Sequence, residues 1–327
     1  MTQLSLALIS DLHLPVPGKP ALGRLMSKRG LSWLSWVKKR RKLHRPEVLS
    51  ALMADVAAAA PDHLLVCGDL TNLALPEEFA SARAWLKGQG GPDRATAIPG
   101  NHDALVPVFW EEGLGQWADW MSPDPGGPNA PQEPFPFVRV RGPAAIVGLT
   151  TAVPTAPGLA TGRVGEAQLE RLRTTLLVLK ARGLFRVVAL HHPITPGAVS
   201  KRKQLTDQAD LRAVLAETGA ELVVHGHAHE ASLNTVPGPD GAIPVIGVGS
   251  ASQIHGAGHN QPAGWRLFRI SRGEDAQGQP EWRCAVETRR LKADGGFESL
   301  GTYALTGPAD LSADRLAASP CRSDSAA

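Results

Sequence analysis

An amide, an imidazole and a carboxylate stand in succession at Asn101, His102 and Asp103, behind Gly100 and directly after the apolar run 95–99. Alone, such a stretch is as readily a solvated turn as a site. Its company changes the reading. Asp11 and His13 close the apolar run 4–10, Gly68-Asp69 closes 63–67, His191-His192-Pro193 follows 185–190, and His225-Gly226-His227-Ala228-His229 follows 222–224. Five of the eleven histidines therefore sit at two strand ends, which ordinary structural histidines explain poorly. Side chains two residues apart on an extended chain point the same way, so Asp11 and His13 can grip one cation.

Collected, the candidates are Asp11, His13, Asp69, Asn101, His191, His227 and His229. Oxygen and imidazole donors without thiolate suit manganese, iron, zinc or cobalt, and a carboxylate can bridge two ions. Seven ligands are too many for one open catalytic ion and about right for two. Two ions roughly 3.5 to 4 Å apart can hold a hydroxide between them and bind phosphoryl oxygens on both sides of an in-line displacement. Phosphoester hydrolysis is the expected output.

The elements that must position these residues follow from periodicity. Strands are expected at Leu4 to Ser10, His63 to Cys67, Thr96 to Pro99, Phe137 to Arg141, Ala145 to Thr151, Phe185 to Leu190, Leu222 to Val224, Ile243 to Val248, Trp265 to Ile270 and Trp282 to Thr288. Helices are expected at Pro46 to Ala60, Pro76 to Lys87, Gly165 to Arg182 and Gln208 to Glu217. A strand, helix, strand unit makes the second strand a parallel neighbour of the first, so Asp11 and Asp69 meet at one sheet edge. Cys67, just before that edge, reads as a small core hydrophobe. The loop from Pro107 to Pro136 carries Trp110, Trp117, Trp120 and a Pro and Gly cluster at 123–128, and forms either a substrate rim or a long packed loop.

With 327 residues and 43% hydrophobic content, the chain can bury a large core. Cys67, Cys284 and Cys321 form neither a disulfide framework nor a metal pattern, which favours a reducing cytoplasm. No stretch suggests a signal peptide or a membrane span. The net charge of +3 hides an asymmetry: residues 14–45 hold ten Lys and Arg and no acid, leaving the rest at a formal −7. That segment, with Leu22, Leu25 and Met26 before Gly30 and Leu31, Trp33, Leu34, Trp36 and Val37 before Lys38 to Lys42, reads as a pair of short amphipathic helices. It can sit at an anionic membrane surface through 19–45 or over an anionic ligand, or pack its Trp face on its own domain with the charges solvated. Without a further basic stripe, nucleic acid is not the expected partner. One domain over 1–305 is expected, with an insertion at 14–45 and a flexible tail at 306–327.

In order, Asp11 to His13, Gly68 to Asn72, Gly100 to Asp103, His191 and Gly226 to His229 resemble the five blocks of the calcineurin-like metallophosphoesterases: DxH, GDxx(D/N/R), GNH(D/E), a lone His and GHxH. The resemblance spans about residues 5 to 250. It implies an α/β fold, a four-layer αββα sandwich of two mixed sheets. It also implies that Asp11, His13 and His229 hold one metal, that Asn101, His191 and His227 hold a second, and that Asp69 bridges them. His102 would be the general acid or transition-state stabiliser, with Asp103 orienting its ring, which fits a leaving alkoxide that needs a proton. His191 is the ligand by the H-x-P pattern, His192 is a supporting or merely packed neighbour, and His225 lies outside the blocks as a satisfied histidine. Asn72 stands where many members carry aspartate, a change beside the ligands that tunes metal affinity. The layout is similar to bacterial class III cyclic nucleotide phosphodiesterases. The alternatives are a membrane-surface pyrophosphohydrolase or phosphodiesterase acting on a nucleotide-activated lipid or phospholipid, and a noncatalytic metal-binding scaffold.

Overall fold

The computed structural model describes residues 3–124, 135–254, 261–274 and 280–305. The expected tail 306–327, Cys321 and most of the Pro and Gly cluster at 123–128 lie outside them. Strand β1 (Gln3–Ile9) is followed by a helical segment comprising a 3-10 turn at Leu22–Leu25, α1 (Lys28–Ser35), a π-turn at Trp36–Arg40 and α2 (Arg41–Leu43). Then come α3 (Pro46–Ala59), β2 (His63–Cys67), α4 (Pro76–Gly88) and β3 (Ala95–Ile98). The second half runs β4 (Phe137–Arg141), β5 (Ala144–Gly148), α5 (Glu166–Ala181), β6 (Phe185–Ala189), α6 (Gln208–Thr218), β7 (Leu222–His225), β8 (Ser232–Gly238), β9 (Gly241–Gly247), β10 (Gly264–Glu274), β11 (Pro280–Leu291) and β12 (Phe297–Leu305).

Two six-stranded mixed sheets result, ordered β12-β11-β10-β1-β2-β3 and β4-β5-β6-β7-β9-β8. Strands β1, β2 and β3 at one end of the first sheet are parallel, as the expected β1-β2 pairing required, as are β5, β6, β7 and β9 in the second, while β10 to β12, β4 and β8 pair antiparallel. The period of two divides each strand of the second sheet between two cores. Ile146, Val187, Val224 and Ile246 join the core shared with the first sheet's Leu6, Leu8, Leu65 and Ala97. Their neighbours Val147, Val188, Val223 and Val245 pack with Leu172, Leu176, Leu211 and Leu215 of α5 and α6. This is the four-layer αββα arrangement, and both sheets turn the carboxyl ends of parallel strands to one side.

The elements that sequence reading missed are edge elements. Strands β8 and β12 lie at sheet edges and are largely polar or exposed, so they carry no buried alternation. The insertion differs too: Gly30 lies inside α1 rather than between two helices, where a Cβ would strike the Leu25 carbonyl. The tryptophan loop is mainly packing. Trp117 and Trp120 are buried and donate to Phe79 O at 3.0 Å and Gly90 O at 3.3 Å, leaving Phe109 and Trp110 exposed.

Candidate dinuclear metal centre

The backbone builds the site first. Among the described residues seven non-glycine residues have positive φ, and five are Asp11, His13, Asp69, His227 and His229, at φ 47° to 65°. Such left-handed geometry is uncommon outside glycine and costs of order 1–3 kcal/mol per residue, so surrounding contacts must hold it. They do: Asp11 N and His13 N donate to Gly68 O and Asp69 O, both at 2.9 Å. Gly100 precedes the polar stretch, and its φ is not among the positive values. Space is the reason for the glycine, since a Cβ would collide with the Asp69 carboxylate and backbone.

Each aspartate has one oxygen tied and one presented. Asp11 Oδ2 accepts from His227 N at 2.9 Å, while buried Oδ1 accepts no hydrogen bond and lies 3.1 Å from His229 Nε2. Asp69 Oδ1 accepts from His102 N at 2.7 Å, and its Oδ2 lies 3.8 Å from His13 Nε2 and 3.4 Å from His191 Nε2.

Four histidines show the same division. One ring nitrogen donates to an oxygen: His13 Nδ1 to Thr71 O at 3.2 Å, His191 Nδ1 to Cys67 O at 2.7 Å, His227 Nε2 to Lys203 O at 2.9 Å, and His229 Nδ1 to Gln253 Oε1 at 3.1 Å. Fixing one nitrogen as the donor turns the other inward, as metal-ligating histidines require; at His13 that atom accepts from Arg40 Nη2 at 2.9 Å, and at His191 it faces the Asp69 carboxylate at 3.4 Å. Asn101 Oδ1 lies 3.2 Å from His191 Nε2. Asp11, His13 and His229 thus form one group and Asp69, His191 and His227 another, with the ligand atoms of each within 4.8 Å of one another. Bonds of about 2.0–2.2 Å place neighbouring donors around one ion roughly 3 Å apart, so these nitrogen and oxygen sets fit two transition-metal ions.

Charge is concentrated here. Burial would raise the Asp11 carboxyl, but His229 and the other neighbours hold it well below the carboxylate range. Burial pulls His191 down, yet Asp69 and then Asp11 outweigh it and push it up to about 9. Burial, then positive neighbours such as Arg40, keeps His13 neutral, and burial does the same for His227.

His102 Nδ1 donates to Asn72 O at 2.8 Å, and Nε2 accepts from Arg40 Nη1 at 2.7 Å. Burial, then Arg40, lowers this imidazole to about 3. The expectation that Asp103 orients the ring is corrected. Its carboxylate accepts from Leu70 N, Thr71 N, Thr71 Oγ1 and Gly100 N at 2.8–3.3 Å, bracing two loops, and Asn72 O holds the imidazole. Burial and Asp69 push Asp103 up to about 7. Asn72 therefore acts through its main chain, while its side chain donates to Leu14 O at 2.7 Å. The acid at this place is buried Glu78, which sequence reading did not single out and which accepts from Asn72 N at 2.8 Å. His192 has both nitrogens engaged, by Thr151 Oγ1 at 2.7 Å and Ala160 O at 3.2 Å, so it packs beside the site. His225 is only half satisfied: Nδ1 donates to Gly226 O at 3.0 Å and buried Nε2 has no partner.

Sequence reading also missed two residues of the insertion. Arg40 brings its guanidinium between His13 and His102, and His44 stacks edge-on to His13 at 4.4 Å while its Nδ1 meets Ser252 Oγ at 2.9 Å. Spacing carried a signal, because Trp33, Trp36, Arg40 and His44 recur at three and four residues.

Residues 4–231 match the family described as calcineurin-like phosphoesterase. Two curated relatives carry the name probable cyclic nucleotide phosphodiesterase. One, from Rhodococcus erythropolis, is 30% identical over 203 residues, which is 61% of this chain and 60% of that protein, so the match spans less than two thirds of that relative. The other, from a Synechococcus species, is 28% identical over 283 residues, 85% of this chain and 92% of the relative. The crystal structure of a dimetal phosphatase from Danio rerio is alike in fold, with a TM-score of 0.51 at 13% identity over 93% of this chain and 98% of that one.

Proposed function

The chain belongs to the calcineurin-like phosphoesterase family of metal-dependent hydrolases, and from that premise we propose that it is a dinuclear-metal phosphodiesterase with a cyclic nucleotide as substrate. The observation that carries the reading is the set of four histidines, each with one nitrogen tied to an oxygen and the other turned toward two inward-facing carboxylates. Asp11, His13 and His229 would hold one ion, Asn101, His191 and His227 the second, and Asp69 would reach both. Bound ions supply Lewis-acid polarisation of the phosphoryl oxygens and a more acidic water. The chain's own residues do the rest. His102, anchored through Nδ1 to Asn72 O, meets the leaving oxygen with Nε2. Asp103, Thr71 and Glu78 hold the two loops that fix that ring. The relatives' names support the cyclic nucleotide.

The test is a substrate panel with added manganese: cyclic AMP, a linear aryl phosphodiester, a phosphomonoester and a nucleotide-lipid pyrophosphate. His102→Ala is expected to lower kcat on the preferred substrate by about 10²- to 10⁴-fold with metal content retained. Undiminished turnover by that variant contradicts the role of His102, and a preference for the monoester contradicts the phosphodiesterase reading.

A second reading, a membrane-surface pyrophosphohydrolase or phosphodiesterase, is favoured by one observation. Leu22, Met26, Leu31 and Leu34 are 53–87% exposed, on the segment that also exposes Lys38, Lys39, Arg41 and Lys42. No helix among the described residues is long and apolar enough to cross a membrane. Partitioning onto phosphatidylserine vesicles that disappears when all four apolar residues become Ser supports surface association. Equal partitioning of the two proteins contradicts it.

A further inference from the structure

Among the described residues three arginines are buried, Arg139, Arg186 and Arg266, and in the first two every guanidinium nitrogen has a partner. Arg186 grips Glu221 through Nε at 3.0 Å and Nη2 at 2.7 Å, and its Nη1 donates to Thr218 O at 3.0 Å. Arg139 donates to the carbonyl oxygens of Ser122, Pro92, Ala95 and Asp119. Arg266, on β10 and 5% exposed, is the exception. Its Nη1 donates to Thr288 Oγ1 and, at 3.4 Å, to Tyr303 OH, while Nη2 reaches Ser232 O and Gly247 O only at 3.4 Å. Three of these four contacts lie beyond the usual range of about 2.7–3.2 Å. Nε is buried as well and has no partner. No carboxylate among the described residues pairs with this guanidinium, and Tyr303 is the ionisable neighbour that acts on it. Arginine is almost never buried without a counter-charge, because taking it out of water is costly.

A cavity of about 20 Å³ adjoins it, lined by Arg266 and Thr288 together with Trp265, Gly249, Arg289 and Arg290. No acidic residue lines this cavity. Arg289 is held by Asp55 and Glu287, and Arg290 by Glu298, all outside the lining, so Arg266 is the cation there that lacks a counter-charge. About 10–15 Å³ of such space holds one water, so the cavity admits a single body of water or halide size and excludes sulfate, phosphate or an organic acid. Water brings no charge to offset the guanidinium, whereas a halide does. Thr288 Oγ1 accepts from Nη1 and keeps its own proton free to donate, and Nε–H is a second donor without an acceptor. The place also joins the two sheets. Arg266 stands opposite Leu8 on β1, the strand that ends before Asp11, and its Nη2 crosses to Ser232 on β8 and Gly247 on β9.

We propose that Arg266 and Thr288 form a buried halide site, in which one chloride ion neutralises the guanidinium and fastens β10 to the edge of the second sheet. The site serves the sandwich and stands whether or not the chain hydrolyses a phosphodiester.

The experiment titrates chloride against gluconate, an anion too large for the cavity, at constant ionic strength and follows thermal unfolding of the full chain in wild type and Arg266→Met. Wild-type crystals soaked in bromide supply a second measurement, since bromide is located by its anomalous scattering. The wild-type midpoint is expected to climb with chloride and level off, by about 2–4 °C in all. In Arg266→Met, which keeps the length of the side chain without its charge, that saturable rise should vanish. Bromide should appear against Arg266 Nε and Thr288 Oγ1. A wild-type midpoint without a saturable rise overturns the proposal, and so does a rise that persists unchanged in Arg266→Met. A water at Arg266 that bromide does not replace also overturns it. Should Arg266→Met fail to fold, the wild-type titration and the bromide position still decide.

Discussion

The strand-end centre and the insertion at 14–45 meet over the same imidazoles but are built by opposite means. The centre takes its shape from the main chain: left-handed aspartates and histidines, glycines without room for a Cβ, and amides that hold one oxygen of each carboxylate. The insertion takes its position from long side chains, Lys28 and Arg29 reaching across to carbonyls, while much of its apolar surface stays in solvent. The main chain therefore fixes the strand-end centre, whereas the insertion meets it only through the side chains of Arg40 and His44.

A methyl group separates the two regions most sharply. Gly100→Ala places a Cβ against Asp69 and His191 and is expected to cost about 1–3 kcal/mol in denaturant unfolding, with loss of bound metal. Gly23→Ala, in the insertion with nothing within 4 Å of its Cβ, should stay within about 0.5 kcal/mol of wild type and keep its metal. Equal tolerance at both positions would break the distinction.

A smaller effect contrasts the two ends of β2. Asp69 follows its carboxyl end with one oxygen presented, whereas His63 at its start has Nδ1 engaged by Asp93 O at 3.1 Å and Nε2 by Thr96 Oγ1 at 2.7 Å. Burial, then Arg141, lowers His63 to about 3. The unfolded chain, with histidine near 6.5, therefore binds more protons between pH 6.5 and 3. The contribution of neutral His63 is complete above pH 6.5 and is lost as pH falls through that window. Unfolding free energy measured from pH 7 to 4 should fall in wild type more steeply than in His63→Gln, by up to about 1.4 kcal/mol per pH unit. Identical slopes would remove His63 from the set of buried neutral histidines.

The strand ends were legible because buried strands are apolar and the residues that end them are not. That contrast places Asp11, Asp69, His191 and His227 at strand ends, and the strand, helix, strand pattern brings Asp11 and Asp69 to one edge. Asp103 was misread because order along the chain says nothing about which donors a carboxylate meets. Four amide and hydroxyl donors surround it, and the ring beside it in sequence turns to Asn72 O. Arg40 was hidden for a different reason. It lies in a run of five cations, and the helical turn that aims it inward leaves its neighbours in solvent. Edge strands β8 and β12 escaped because one exposed face and few apolar residues erase their alternation.

The central claim is that two metal ions held at the strand ends drive hydrolysis of a phosphodiester. Its most direct test strips the chain with chelator, returns manganese in steps, and follows bound metal and aryl phosphodiester turnover together in wild type and Asp69→Asn. The expected result is two ions per wild-type chain, turnover rising as the second binds, and a loss of about 10³-fold in the variant, roughly 4 kcal/mol of transition-state stabilisation. Full turnover by the stripped protein, or saturation of activity at one ion per chain, would contradict it.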